Sequence, residues 1–147
     1  MQERFEMFTV LINRISRDIR RIKNQEMAAY HLRSAHVSCL YYIYSLDGVT
    51  SAELCEHCEE DKATISRALD YLEGNGFILR PCEGAKRYKS PLHLTEKGRA
   101  VGEQIAERIR SILDAVSHTL TEEERAFYRS LSAISRSLDT IAQNSEA

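Results

Sequence analysis

A mainly α-helical fold carrying one small β-hairpin is predicted for this chain by three observations. Apolar residues recur at alternating three- and four-residue intervals near both ends of the sequence. Two short, well-capped helices follow one another in the middle. After Gly76 the pattern shortens to that of strands, and it returns to helical spacing at Thr95.

The first helix is read from Phe5, Phe8, Ile12, Ile15, Ile19 and Ile22, which form one seam, with Arg14, Arg17, Arg20 and Arg21 off it. A second helix is expected over about Ser34 to Leu46, with Ser34 as its cap and Asp47-Gly48 as its stop. A third starts at Thr50. There Thr50 and Glu53 make a capping box, in which each side chain takes the other's backbone N–H. It runs to about Cys58. The fourth starts at Asp61 and runs to about Asn75, where Gly76 supplies a left-handed end.

Phe77 to Arg80 and Tyr88 to Leu94 are expected as two strands turning at Glu83-Gly84-Ala85. Helix then resumes with Val101, Ile105, Ile109, Ile112 and Val116 as its stripe. Thr121 to Glu124 reads as another capping box before Phe127, Leu131, Ile134, Leu138 and Ile141. The two terminal seams are wider than the small middle can cover. A second copy of the chain on a twofold axis is the simplest partner, joined through Phe8, Ile12, Ile15, Ile19, Leu131, Ile134 and Leu138.

Composition bounds the function. The 147 residues are 43% hydrophobic and 29% charged, as in a folded soluble domain. Net charge is −2, so the chain does not coat nucleic acid nonspecifically, although a reader with a local basic face remains open. The opening residues contain no apolar signal core and no apolar run reaches membrane-spanning length, so a cytoplasmic location without membrane contact is expected. Cys39, Cys55, Cys58 and Cys82 are then read as free thiols. No Gly-rich phosphate loop, nucleophile elbow or His-Glu-x-x-His motif is present. We therefore expect no catalytic residues, no cofactor and no enzyme activity.

The informative segment runs from Thr50 to Thr95. Leu54, Cys55, Cys58, Ile65, Leu69 and Leu72 can form the core of a helix-turn-helix. The second helix then exposes Lys62, Ala63, Thr64, Ser66, Arg67 and Asp70. Short polar groups let a helix approach a groove floor, and Arg67 can reach a guanine edge or a phosphate. Ser51 joins Lys62, Ala63, Thr64, Ser66 and Arg67 in the expected DNA-binding set. The hairpin adds Lys86, Arg87 and Lys89, beside Tyr88, as a basic tip.

Glu53-Leu54, Asp61 to Arg67, Leu72-Glu73, Gly76-Phe77-Ile78, Leu94-Thr95 and Gly98, in this order and spacing, resemble the MarR (multiple antibiotic resistance regulator) family. The similarity extends over the whole chain. It implies a single domain over 1–147, with a winged helix-turn-helix at 34–95 and dimerisation helices at 1–30 and 96–142. It also implies a homodimer that regulates transcription, usually as a repressor, on pseudo-palindromic double-stranded DNA. Control by a small-molecule effector, a metal ion or an oxidant is implied as well. Two departures stand out: Ala85 occupies a place where the family wing often carries Asp, and Glu60 one where the family usually has an apolar residue.

Other readings compete with this one. Winged helices also serve as protein-interaction modules. Cys55-Glu56-His57-Cys58 has the spacing of half a zinc site, but without a second pair packing is preferred and no metal is assigned. His31, His36 and Cys39 form a second cluster, read as ordinary surface or interface residues, with Cys39 as a thiol sensor the alternative. Tyr41, Tyr42 and Tyr44 are read as packing, with a ligand pocket the alternative.

Overall fold

The structure is a computed structural model that describes residues 2–80, 88–117 and 121–145. Helices α1 (Gln2–Glu26), α2 (Ser34–Ser45), α3 (Ser51–Cys58) and α4 (Lys62–Gly74) come first. A single 3₁₀ turn, Ala28–Tyr30, separates α1 from α2. Strands β1 (Ile78–Leu79) and β2 (His93–Leu94) follow, then α5 (Glu96–Ser117) and α6 (Glu122–Ser145). The chain divides within α5 into two compact units, Met1–Arg108 and Ile109–Ala147. Among the described residues, no helix is long and apolar enough to cross a membrane.

The core of the first unit is built around α2, α3 and α4. Leu40, Leu54, Ile65, Leu69, Leu72, Phe77 and Ile78 are fully buried, and Val101 and Ile105 of α5 belong to the same unit's core. Each such side chain removed from water contributes about 1.5–3 kcal/mol. The sequence expectation of Leu54, Ile65, Leu69 and Leu72 as core holds. Cys55 and Cys58 are only half-buried, and the thiol that enters the core is Cys39.

The start of α2 differs from expectation. Ser34 is its first helical residue and not its cap. The free N–H groups are taken from elsewhere: that of Ser34 by Oδ1 of Asn24 on α1 at 2.7 Å, and that of Arg33 by Nδ1 of His36 at 3.1 Å. Helix α4 ends as the sequence predicts. Gly76 has φ +72°, and the Phe77 N–H donates to Leu72 O at 2.8 Å while the Gly76 N–H donates to Glu73 O at 3.0 Å.

The described strands are shorter than expected. Among the described residues only Ile78↔Leu94 and Leu79↔His93 pair, antiparallel. Just before β2 the chain pairs with the entry to α3: Pro91 bridges Thr50, and the Leu92 N–H donates to Val49 O at 2.9 Å. Proline lacks an N–H, which confines it to such an edge. Tyr88 and Lys89 form a tight helical turn rather than strand. The expected turn at Glu83-Gly84-Ala85 lies outside the described residues.

Gly98, in the first turn of α5, is the closest approach between elements here. A Cβ at that position would overlap the Phe77 carbonyl. Thr95 ties the same junction: its N–H donates to Phe77 O at 3.0 Å, its hydroxyl donates to Gly76 O at 2.6 Å, and its Oγ1 accepts the Gly98 N–H at 3.0 Å.

Along α1, Ile12, Ile15 and Ile19 are exposed in the single chain, with Phe8 half-buried. Along α6, Ile134 and Leu138 are exposed and Leu131 is half-buried. Both helices are amphipathic, as their seams predict.

Candidate nucleic-acid interface

The site is assembled from local caps. Thr50 closes the start of α3: Glu53 Oε2 accepts the Thr50 N–H at 2.8 Å and Thr50 Oγ1 accepts the Glu53 N–H at 3.3 Å. The bond from the Thr50 N–H, and then one from the Thr50 hydroxyl at 2.8 Å, hold the Glu53 carboxyl below its usual range. The turn out of α3 passes through Glu59 at φ +50°, and the Glu60 N–H donates to Cys55 O at 3.2 Å. Glu60, a departure from the family pattern, is half-buried there.

Asp61 then caps α4 and organises its exposed face. Its carboxylate accepts the Thr64 N–H at 2.8 Å and the Thr64 hydroxyl at 2.9 Å. The backbone bond from Thr64 is the main cause that holds this carboxyl below the ordinary range. Thr64 Oγ1 in turn accepts Nη2 of Arg67 at 3.2 Å. The chain Asp61–Thr64–Arg67 therefore restrains the guanidinium along the outer face of α4, which reduces the side-chain entropy lost if that group is later bound.

Lys62, Ala63, Ser66 and Arg67 are exposed, and Thr64 is half-buried. Ser51 departs from this set: only 7% of it is exposed, so its side chain lines the inner wall of a cleft instead of the outer face. The cleft, of about 180 Å³, lies between α3, α4 and the root of the hairpin, with Lys62, Ser66, Arg80 and Tyr88 around it. Lys62 Nζ stands 5.4 Å from the centre of the Tyr88 ring, a cation–π contact that ties the start of α4 to the hairpin. Lys89 is exposed beside it. Lys86 and Arg87 lie outside the described residues.

Arg80 is the neighbour of this site that the sequence reading does not single out. Its side chain is only 7% exposed and bonds both Asp70, at 2.6 Å, and Glu73, at 2.7 Å, on α4. Asp70, expected on the reading face, is thereby committed to an ion pair. The signal in the sequence is faint: an arginine just after Ile78-Leu79, seven and ten residues past two acids on the preceding helix.

The metal readings find no geometry. Among the described residues, no three His, Cys, Asp or Glu side chains are grouped to hold a metal ion. His57 stacks on Tyr42 with centroids 5.2 Å apart, and Cys55 donates to Ser51 O at 3.3 Å. Arg14, Arg17, Arg20 and Arg21 of α1 are exposed. Arg17 pairs with Asp18 at 3.5 Å, and an ion pair so open to water contributes little.

Two capped helices, a restrained polar face on the second and a short hairpin beside it define a winged helix-turn-helix. Residues 32–87 match the sequence profile of the MarR family. The HTH-type transcriptional repressor Rv2887 of Mycobacterium tuberculosis is 30% identical over 94 residues, which cover 63% of this chain and 68% of that protein. The structure of that repressor in complex with p-aminosalicylic acid superposes with a TM-score of 0.60 at 26% identity, covering 86% of this chain and 97% of that one. A MarR family regulator from Silicibacter pomeroyi gives a TM-score of 0.67 at 29% identity, covering 89% of this chain and 87% of that one. MepR of S. aureus, crystallised with DNA, shares the fold at a TM-score of 0.73 and 20% identity, covering 91% of this chain and 97% of that one. The chain belongs to the MarR family of helix-turn-helix transcription regulators.

Proposed function

We propose that the chain acts as a homodimeric, ligand-responsive repressor on a pseudo-palindromic operator. The observation that carries this reading is the restrained face of α4, where Asp61 and Thr64 hold Arg67 beside exposed Lys62, Ala63 and Ser66. In each half-site this face enters the major groove, and Lys86, Arg87 and Lys89 of the hairpin lie along the adjacent backbone.

The exposed apolar faces of α1 and α6 support a dimer, since isolated stripes of this length are ordinarily covered. A twofold axis would set the two recognition helices about one helical turn of DNA apart, roughly 34 Å. A small effector that alters that separation lowers affinity without touching the DNA. The repressor name and the aromatic acid bound by the mycobacterial relative support both the sign of regulation and the ligand response.

Selection from a random duplex pool at about 0.15 M salt tests the reading. Recovery of an inverted repeat with half-sites about one turn apart is expected. Enrichment of single half-sites would overturn the dimeric mode. Failure to enrich any sequence, with chelator and with reductant, would overturn DNA reading in favour of a protein-interaction role.

A further inference from the structure

We propose that Arg80 is a positioning residue for DNA binding: it draws the Asp70 carboxylate off the outer face of α4, so that Arg67 and the phosphates of a duplex meet no competing acid there. The inference rests on the function proposed above, since it concerns how that face meets DNA.

The need for such a residue arises on α4. Ser66, Arg67 and Asp70 are all exposed, and spacings of three and four residues set Asp70 one turn along the helix from the other two. The Asp70 side chain is 62% exposed, so its charge is felt outside the protein. A carboxylate left to itself at this place would do two kinds of harm. It would repel phosphates, whose charge dominates the affinity of proteins for DNA. It would also compete for the Arg67 guanidinium, three residues before it, which Thr64 Oγ1 otherwise restrains at 3.2 Å.

Arg80, directly after β1, supplies the opposite charge from a different element. Its Nη2 donates to Asp70 Oδ1 at 2.6 Å and to Glu73 Oε2 at 2.7 Å, and its Nε donates to the same Glu73 oxygen at 3.0 Å. The two bonds to Glu73 fix the plane of the guanidinium, and the third holds Asp70 against it. A side chain only 7% exposed is turned toward these acids and away from solvent. It therefore acts through Asp70 and not by touching DNA. Salt screens so covered a cation less than it screens the open pair of Arg17 and Asp18.

Arg80 lines the same cleft as Lys62, Ser66 and Tyr88, so the pull on Asp70 runs toward the hairpin root. Arg80 and Tyr88 bracket the segment 81–87, and each takes a residue of α4: Asp70 in one case, Lys62 in the other. An anchor for the hairpin and a residue that cancels the charge of Asp70 predict different results. Removing both charges restores binding in the second case and not in the first.

The test is a double-mutant cycle on the affinity of the full chain for the selected duplex, followed by fluorescence anisotropy between about 0.05 and 0.2 M salt. Arg80→Gln should weaken binding roughly tenfold at the lowest salt and make log K fall less steeply with log salt, by about one unit of slope. Asp70→Asn alone should change affinity by less than about twofold, because its charge is already cancelled. Added to Arg80→Gln, it should restore most of the affinity and the slope. A defect that persists in the double variant would overturn the inference, whether its source is a lost phosphate contact or a displaced hairpin. Two variants decide the matter even if circular dichroism shows Arg80→Gln unfolded. Arg80→Lys keeps a cation beside Asp70 and should hold the wild-type slope, and a slope reduced by about one would overturn the inference. A roughly tenfold gain from Asp70→Asn alone would overturn it too, since the acid would then be acting uncancelled in the wild type. A wild-type chain that binds no duplex would overturn the function proposed above and this inference with it. Wild-type binding without rescue overturns this inference alone.

Discussion

Tyr71 of α4 stacks face to face on His36 of α2, with ring centroids 4.2 Å apart and planes within 2° of parallel. The Tyr71 hydroxyl also donates to His31 O at 2.9 Å. Helix α4 is thereby clamped to the start of α2 through a titratable ring.

That ring is biased toward its neutral form. Burial, and then the neighbouring Arg33, lower the His36 pKa below the ordinary 6.5, and Nδ1 must stay unprotonated to accept the Arg33 N–H. Because the folded-state value is depressed, the contribution is fully present above about pH 6.5, the unfolded value. It is lost as pH falls through 6.5 toward the folded value, since the unfolded chain binds the proton more readily. Thermal melts of wild type and His36→Gln between about pH 7.5 and pH 5 check this. The wild type should lose more stability on the acid side. Parallel curves would remove His36 as the titrating group.

Arg67→Ala should weaken binding to the selected duplex by about 1–3 kcal/mol and relax the preference at one base position in each half-site. Thr64→Val keeps the size of the side chain but removes the hydroxyl between Asp61 and Arg67. It should produce a smaller loss in the same direction. Equal affinity of Arg67→Ala for every sequence, measured by fluorescence anisotropy, would remove this side chain from the reading set.

Gly98→Ala should be among the most damaging single changes, at about 3 kcal/mol or more, because the added carbon meets the Phe77 carbonyl and backbone must move. Gly102→Ala is the control. There the nearest atom is Cβ of Tyr44 at 2.9 Å, a side-chain neighbour, and the penalty should be smaller. Urea denaturation of the pair checks the order, and a reversed order would refute the close approach of α5 to Phe77, just before β1.

Ile15→Glu and Leu138→Glu should each shift the sedimentation coefficient toward that of a single chain. Both residues are about half exposed in the isolated chain, at 54% and 49%, so neither change disrupts its core. A dimer intact in both variants would refute the seam assignment.

What was legible in the sequence depended on range. Thr50 with Glu53, and Asp61 with Thr64, act across three residues, so the starts of α3 and α4 could be read directly. The start of α2 could not, because Asn24 reaches it from another helix. The hairpin was read too long because the run from Tyr88 to Leu94 is shared among a helical turn, a bridge to Thr50 and two pairs with β1. Within the site, the exposure of Lys62, Ala63, Ser66 and Arg67 follows from helical period. The burial of Ser51 and the capture of Asp70 by Arg80 depend on how the hairpin folds back, which no local pattern encodes.

The Asn24 bond to Ser34 has a mechanical meaning. The apolar helix proposed to bind a second copy ends by holding the first free N–H of the helix that carries His36, and His36 in turn grips α4 through Tyr71. A tilt of α1 is thus felt at α4 through two noncovalent links and no loop. Such a linkage behaves as a crank: it passes on rotation in either direction, and cutting it at Asn24 would leave both ends sound but deaf to each other.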